Sequence, residues 1–408
     1  MRIIIKIIKY SAHFFFIPLY WISWLIPKNK KLWIFGAWFG RRFSDNAKYL
    51  FQYVLDNHPE IRAIWLSRSR EVIEIIRKHG HEAYMANSFK GILFSCRASC
   101  IVVCQGLVDV NRYAIGRAKK VQLWHGTPLK KIGSDDFLHN VKKRGSLMIF
   151  LRKIRDIILP FLVDRFSFVI ATSVEAGANL ATAFEVPESR IRVTGYPRND
   201  VLLGNCSIYS EVDLWRKKNE RYLANRKIIG YLPTFRDNRS IDLFADYGFA
   251  EREVRGFLEN HQAVFWTKAH FMDKSAGPLV EIDSSTIFFL PDENYSDIYP
   301  LLKLTDILII DYSSVYFDFL LLCRPIIFAP FDIEDYMNKS RKLYYDYDTV
   351  TPGPKAKNWQ EVLNLIDKIL KKDKWEKARE EVCNRFNKFR DGNSSSRVFK
   401  EIMRILES

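Results

Sequence analysis

The chain has 408 residues, of which 48% are hydrophobic and 27% charged, with only 18 Gly and 15 Pro. That length sets a prior of two or three domains, and the composition excludes a disordered, collagen-like or low-complexity chain. A net charge of +16, from 63 Lys+Arg against 47 Asp+Glu, points to an anionic partner: a phosphorylated substrate, an anionic membrane surface or nucleic acid. Aromatic residues make up 14% and crowd the N-terminus, which favours the membrane surface.

Residues 1–31 form an apolar and basic segment. MRIIIKIIKY carries Lys6 and Lys9, and 10–27 holds no Asp, Glu, Lys or Arg. That run sits at the lower limit for a spanning helix. Phe14, Phe15, Phe16, Tyr20 and Trp21, with flanking lysines, have the composition of a bilayer-interface belt. No small-residue cleavage site follows. The segment is expected to associate with a membrane by lying in the interface; a single span and a core helix of the fold are the alternatives.

Strand-like runs over 32–37, 63–67, 98–104, 120–125, 168–172 and 191–195 then alternate with helical patterns over 45–55, 70–78 and 174–184. An insertion at 137–166 places Leu147, Leu151, Ile154, Ile158 and Leu162 at helical spacing among mostly basic charges. It reads as a solvated surface helix or as a second membrane contact. A polar stretch over 209–226 is the expected linker helix. A second series follows within 227–390, with strands at 227–232, 263–268, 286–290, 307–311 and 325–329 and helices at 249–260 and 313–322. Polar helices from 358 onward, ending in a helix within 391–408, are expected to pack back across both halves. The alternation implies an α/β protein of two doubly wound, Rossmann-like domains, 32–208 and 227–390, facing across a cleft.

Six cysteines form no CxxC pair. Cys96, Cys100 and Cys104 recur every four residues, but Cys100 and Cys104 flank the β-like run 101–103, so buried free thiols in a reducing cytosol are expected rather than a zinc site or a disulfide scaffold.

In open parallel sheets, ligands bind at the carboxyl ends of strands, and the polar motifs of this chain fall there. The run Val121-Gln122-Leu123-Trp124 leads into His125-Gly126-Thr127-Pro128, followed by Lys130 and Lys131. An imidazole held at such a turn can act as a general base near neutral pH. In the second series, 230–232 ends in Pro233-Thr234-Phe235-Arg236, 265–268 in Ala269-His270, and 308–310 in Asp311-Tyr312-Ser313-Ser314. Ser313 or Ser314 would cap the following helix, whose N-terminus, with Arg236 and His270, suits a diphosphate. There is no Walker loop, GxGxxG, GxSxG or HExxH. Asp346-Tyr347-Asp348 only superficially matches a metal-binding DxD, and no metal site is expected.

At these residues the sequence resembles the CDP-glycerol glycerophosphotransferase family, the teichoic-acid primases and polymerases of bacteria. The matching stretches are 43–48 (FSDNAK), 124–133 (WHGTPLKKIG), 231–236 (YLPTFR), 268–270 (KAH), 311–318 (DYSSVYFD), 352–354 (PGP) and 391–394 (DGNS). The resemblance implies a GT-B-like fold at the cytoplasmic membrane face. It also implies transfer of glycerol phosphate from CDP-glycerol to a lipid-linked, glycan or polyol-phosphate acceptor, without metal or cofactor, in making a teichoic-acid-like or capsular polymer. His125 would deprotonate the acceptor hydroxyl, and His270 would bind the diphosphate and assist departure of CMP. Thr234, Arg236, Lys268, Asp311, Ser313 and Ser314 would lie around the donor. Asp45, Asn46, Gly126, Thr127, Lys130 and Lys131 would lie on the acceptor side. Two positions depart from the family's pattern: Phe271, where Pro is common, and Arg341-Lys342, where Arg-Gly is common. Both bear on the polyol or the acceptor rather than on the reaction. CDP-ribitol is the alternative donor, and a GT-B sugar transferase or a non-catalytic membrane-surface protein are the rival readings. Nucleic-acid binding has only the charge in its favour.

Overall fold

The computed structural model describes residues 13–136, 150, 153–154, 156–204, 211–234, 242–268, 285–291, 295, 297–334, 336 and 342–407. The expectations for Lys6, Lys9, Cys206, Arg236, His270, Phe271, Arg341 and most of the insertion 137–166 lie outside these residues.

Two compact units are present. The first takes the chain up to His125, then Ile132–Arg198, then the chain from Asn393 onward; the second takes Gly126–Lys131 and Asn199–Gly392.

In the first unit, helix α1 (Ile17–Leu25) precedes strand β1 (Asn29–Phe35). Then come α2 (Asp45–Asn57), β2 (Arg62–Ser67), α3 (Arg70–Lys78), β3 (Ala83–Met85), α4 (Phe89–Arg97) and β4 (Ala98–Val103). After β5 (Lys119–Gln122) and β6 (Phe168–Ala171) follow α5 (Val174–Ala183) and β7 (Ile191–Val193). All strands are parallel, in the order 3-2-1-4-5-6-7, so the order in which strands are added to the sheet reverses at the β1/β4 boundary. β4 is buried along its whole length, as a central parallel strand covered on both faces must be. This explains the cysteines: Cys100 lies within β4, Cys104 just beyond it and Cys96 on α4, all three buried free thiols. Ser69, Ser88 and Ser173 cap α3, α4 and α5 by accepting a backbone N–H from the first turn. The core holds Trp33, Phe35, Phe51 and Trp65, joined by Val398, Phe399 and Ile402 of the last helix, Ser394–Glu407.

Helix α1 is nine residues long, about 14 Å at 1.5 Å per residue. No helix among the described residues is long and apolar enough to cross a membrane. Tyr20 packs against Leu159 and Phe161, and the Ser23 hydroxyl accepts the Gly116 N–H at 2.9 Å. The outer face leaves Trp21, Ile22 and Leu25 exposed, and Phe15 just before the helix is exposed too.

In the second unit, β8 (Lys227–Leu232), α6 (Glu251–Asn260), β9 (Ala263–Thr267), β10 (Ile287–Phe289), β11 (Ile307–Ile310), α7 (Val315–Phe319) and β12 (Ile326–Phe328) form a parallel sheet ordered 10-9-8-11-12. It reverses between β8 and β11. Helix α8 (Trp359–Lys371) covers its core with Trp359, Val362 and Ile366, and α9 (Glu376–Phe386) packs on the turn Leu320–Leu322. Of the late helices, α8 and α9 belong to the second unit and the last helix to the first.

Several expected bounds differ. The strand expected over 120–125 stops at Gln122, because Trp124 adopts φ +53, which breaks the ladder. The helix expected over 313–322 is five residues of α7 followed by a 3-10 turn ending at Cys323, also left-handed at φ +55. The linker is two short helices, Glu211–Lys218 and Glu220–Leu223. α4 and the three-residue β3 carry too little periodicity to be read in advance.

Candidate active site

The first unit presents its polar residues beyond the carboxyl ends of β1, β4 and β5. β5 loses its last ladder partners at Gln122, and the Leu123 N–H still reaches the Val103 carbonyl at 2.8 Å. Beyond that point, side chains replace the sheet. Asn46 is fully buried, and its Nδ2 donates to the carbonyls of Leu123 at 3.2 Å and Trp124 at 2.9 Å. The Asn46 Oδ1 accepts the Arg198 N–H at 3.1 Å. The Arg198 guanidinium donates to the His125 carbonyl and to Asp45 Oδ1, each at 2.8 Å. Asp45 Oδ2 accepts the Trp38 indole N–H at 3.2 Å. The His125 ring then lies 5.3 Å from the Trp38 ring and 3.7 Å from that of Trp124. His125, Asp45 and Asn46, three expected site residues, therefore come together. Arg198 and Trp38 join them without having been singled out. The available signal was Gly195-Tyr196-Pro197, which ends a strand-like run immediately before a charged Arg.

In the second unit the sheet order 9-8-11 brings three expected residues to one edge: Lys268 after β9, Thr234 after β8 and Asp311 after β11. The buried Asp311 carboxylate accepts the Thr234 N–H at 3.0 Å, the Thr234 hydroxyl and the Tyr312 N–H, each of the latter at 2.5 Å. It ties two strand ends together, and its backbone carbonyl accepts the Tyr347 hydroxyl at 2.8 Å. The expected serine cap is corrected. Ser314 has helical φ/ψ and makes no capping bond, while Ser313 Oγ accepts only a long 3.5 Å bond from the Val315 N–H. An N-cap side chain needs extended backbone to fold back onto the first turn. Asp318, in the same motif, is buried and accepts from Asn199 Nδ2 at 3.0 Å and from the Tyr299 hydroxyl at 2.6 Å.

Gly126, Thr127, Lys130 and Lys131 belong by their contacts to the second unit, not to the N-terminal domain 32–208. Lys130 pairs antiparallel with Leu343, and the Lys131 N–H reaches the Lys342 carbonyl at 2.7 Å. The Lys130 ammonium donates to the Tyr336 hydroxyl at 2.7 Å, and the Tyr336 ring stacks on Tyr312 at 3.9 Å. Thr127 is fully buried, and Gly126 takes φ 152.

Asp346 and Asp348 are both engaged within the chain. Asp346 accepts the N–H groups of Asp348 and Thr349 as a helix cap, and Asp348 pairs with Lys355 at 2.9 Å. Among the described residues no group of three His, Cys, Asp or Glu is placed to hold a metal ion.

A family model described as CDP-Glycerol:Poly(glycerophosphate) glycerophosphotransferase matches residues 18–404. The chain belongs to this glycerophosphotransferase family. A teichoic acid glycerol-phosphate transferase of Staphylococcus aureus is 29% identical over 383 residues, covering 92% of this chain and 94% of the relative. A teichoic acid poly(glycerol phosphate) polymerase of Bacillus spizizenii is 29% identical over 395 residues, covering 93% of each chain. A solved structure of the wall teichoic acid polymerase TagF, a variant soaked with CDPG, superposes with a TM-score of 0.73 at 25% identity, covering 93% of this glycerophosphotransferase and 90% of that chain.

Proposed function

We propose that this enzyme transfers glycerol phosphate from CDP-glycerol to an acceptor hydroxyl, releasing CMP, in synthesis of a teichoic-acid-like or capsular surface polymer. The observation that carries the reading is His125 at the carboxyl end of a parallel strand, in a segment whose carbonyls at Leu123, Trp124 and His125 are held by Asn46 and Arg198, in a chain of this family. An alcohol is a poor nucleophile at neutral pH, and a positioned base contributes roughly 10²–10⁴-fold. His125 takes the acceptor proton as the acceptor oxygen bonds to the β-phosphorus. The bond from that phosphorus to the bridging oxygen breaks, and its electron pair leaves with CMP. CMP carries away negative charge, which calls for fixed donors rather than covalent help. His270 and Arg236 are proposed as those donors, with Thr234, Lys268, Asp311, Ser313 and Ser314 forming or supporting the donor pocket.

Both sheets are doubly wound, which supports a GT-B-like fold. The enzyme is proposed to work peripherally on the cytoplasmic membrane face, where a lipid-linked acceptor would be presented. The apolar outer face of α1, with Ile157 and Ile158 also exposed, supports that location, as does the net charge of +16. Replacing Trp21 and Leu25 together by Glu is expected to abolish co-sedimentation with vesicles containing anionic lipid; undiminished binding would refute this contact.

The test is nucleotide release. Purified enzyme, a membrane extract and a panel of CDP-alcohols and nucleotide sugars are combined, and the product nucleotide is read by chromatography. CMP from CDP-glycerol, lost in His125→Ala with donor affinity unchanged, is the expected result. CMP from CDP-ribitol alone would keep the mechanism and change the polyol. UDP or GDP would refute the donor class.

A further inference from the structure

Arg198 and Asp45 form a buried ion pair at 2.8 Å, with side chains 3% and 7% exposed. Burying two charges is costly, and a well-packed apolar pair of similar size usually serves stability as well. An apolar pair cannot, however, hold a particular carbonyl. The carbonyls of Leu123, Trp124 and His125 follow the end of the β5 ladder, and all three are bonded by two side chains, Asn46 and Arg198. Backbone polar groups that leave a sheet need such partners. Between them Trp124 adopts φ +53, a backbone state that persists in a bulky residue only where the surroundings over-determine it.

Asp45 reaches His125 by two routes. Its Oδ1 fixes the guanidinium that holds the His125 carbonyl, and its Oδ2 fixes Trp38, whose ring lies against the imidazole. We propose that Arg198, with Asp45 as its counter-charge, is a positioning residue for His125. Arg198 sets where the base stands and does not touch the acceptor; Asp45 and Asn46 serve the same device rather than binding acceptor. The inference rests on the reading of His125 as the base. A fork of fixed N–H groups suits this double duty, because one guanidinium can engage a carboxylate and a carbonyl together.

The test uses the full-length enzyme and compares Arg198→Met, the double variant Asp45→Leu with Arg198→Met, and His125→Ala. Melting temperature, kcat and donor KM are measured for CMP release. Arg198→Met leaves a buried carboxylate without its counter-charge and is expected to melt lower. The double variant removes both charges and is expected to regain most of that loss. Misplacing a catalytic group by about 1 Å costs on the order of 10²-fold, so kcat in the double variant is expected to stay about 10²-fold down while donor KM is unchanged. A double variant that recovers both melting temperature and kcat would make the pair merely structural and overturn the proposal, as would wild-type kcat in Arg198→Met. Wild-type turnover in His125→Ala would instead overturn the base assignment beneath it.

Discussion

Asp109 lies fully buried beyond β4 and accepts the N–H groups of Phe39, Cys104 and Gln105 at 2.7, 2.9 and 2.7 Å. Burial outweighs these bonds and pushes its carboxyl up to about 6, from 3.8. The native state therefore binds more protons than the unfolded chain between those values. Its contribution is full below about pH 4, is lost as pH rises through about 6, and is constant above. Asp109→Asn removes the titration. Between pH 4 and pH 7 the stability of wild type relative to that variant is expected to fall by about 2 kcal/mol. Urea unfolding at the two pH values measures this, and an unchanged difference would show that Asp109 ionises freely in the fold. The same environment explains why Asp45 and Asp109 were not equally visible. Asp45 stands in a recognisable string, while Asp109 acts through backbone bonds that any sequence supplies.

At the scale of elements, α1 shows how a segment with a membrane-like composition is also part of the fold. Its inner face seats Ser23 on Gly116, and a Cβ at Gly116 would lie 2.2 Å from Trp24 Cδ1 and 2.6 Å from Ser23 Oγ. Lys28 fastens the end of the segment by donating to the Ser23 and Cys96 carbonyls, and burial lowers its ammonium to about 8. Gly116→Ala is expected to unseat α1 while the sheet of the first unit persists. Limited proteolysis should then cleave within 13–28 at least tenfold faster than in wild type, with far-UV circular dichroism nearly unchanged, since cleavage follows the population of the open state. Equal cleavage rates would mean that α1 tolerates the added methyl by shifting. The composition signalled the outer face; the inner face depends on one glycine about ninety residues later, which no periodicity announces.

At the scale of the molecule, the chain closes the first unit with its last helix. Phe399 packs against Trp33 at 5.4 Å and stacks on His58 at 3.6 Å, with Val398 and Ile402 beside it. Truncating a buried Phe to Ala typically costs about 3–5 kcal/mol. Phe399→Ala is expected to lower the stability of the first unit by that order and to leave the second unit unaffected. Denaturant unfolding would show one early transition and one unchanged; a single unshifted transition would contradict the assignment of this helix. The first unit therefore cannot be complete until the chain has finished the second, a non-local closure that slows folding in general.

Local physics explains what could be read from the sequence alone. Short apolar runs ended by Gly, Pro or Asp can only be buried parallel strands here, and helical periodicity between them implies doubly wound sheets, since both signals arise within ten residues of chain. Candidate ligand-binding positions at strand ends follow from the same pattern, which singles out His125, Thr234 and Asp311. Sheet order and long-range pairing decided the rest. The Arg198 bond to Asp45 spans 153 residues, and the Lys130 bond to Tyr336 spans 206. Neither partner carries a mark of the other, and it is the folding of the sheets, not any local preference, that brings each cation to the group that holds it.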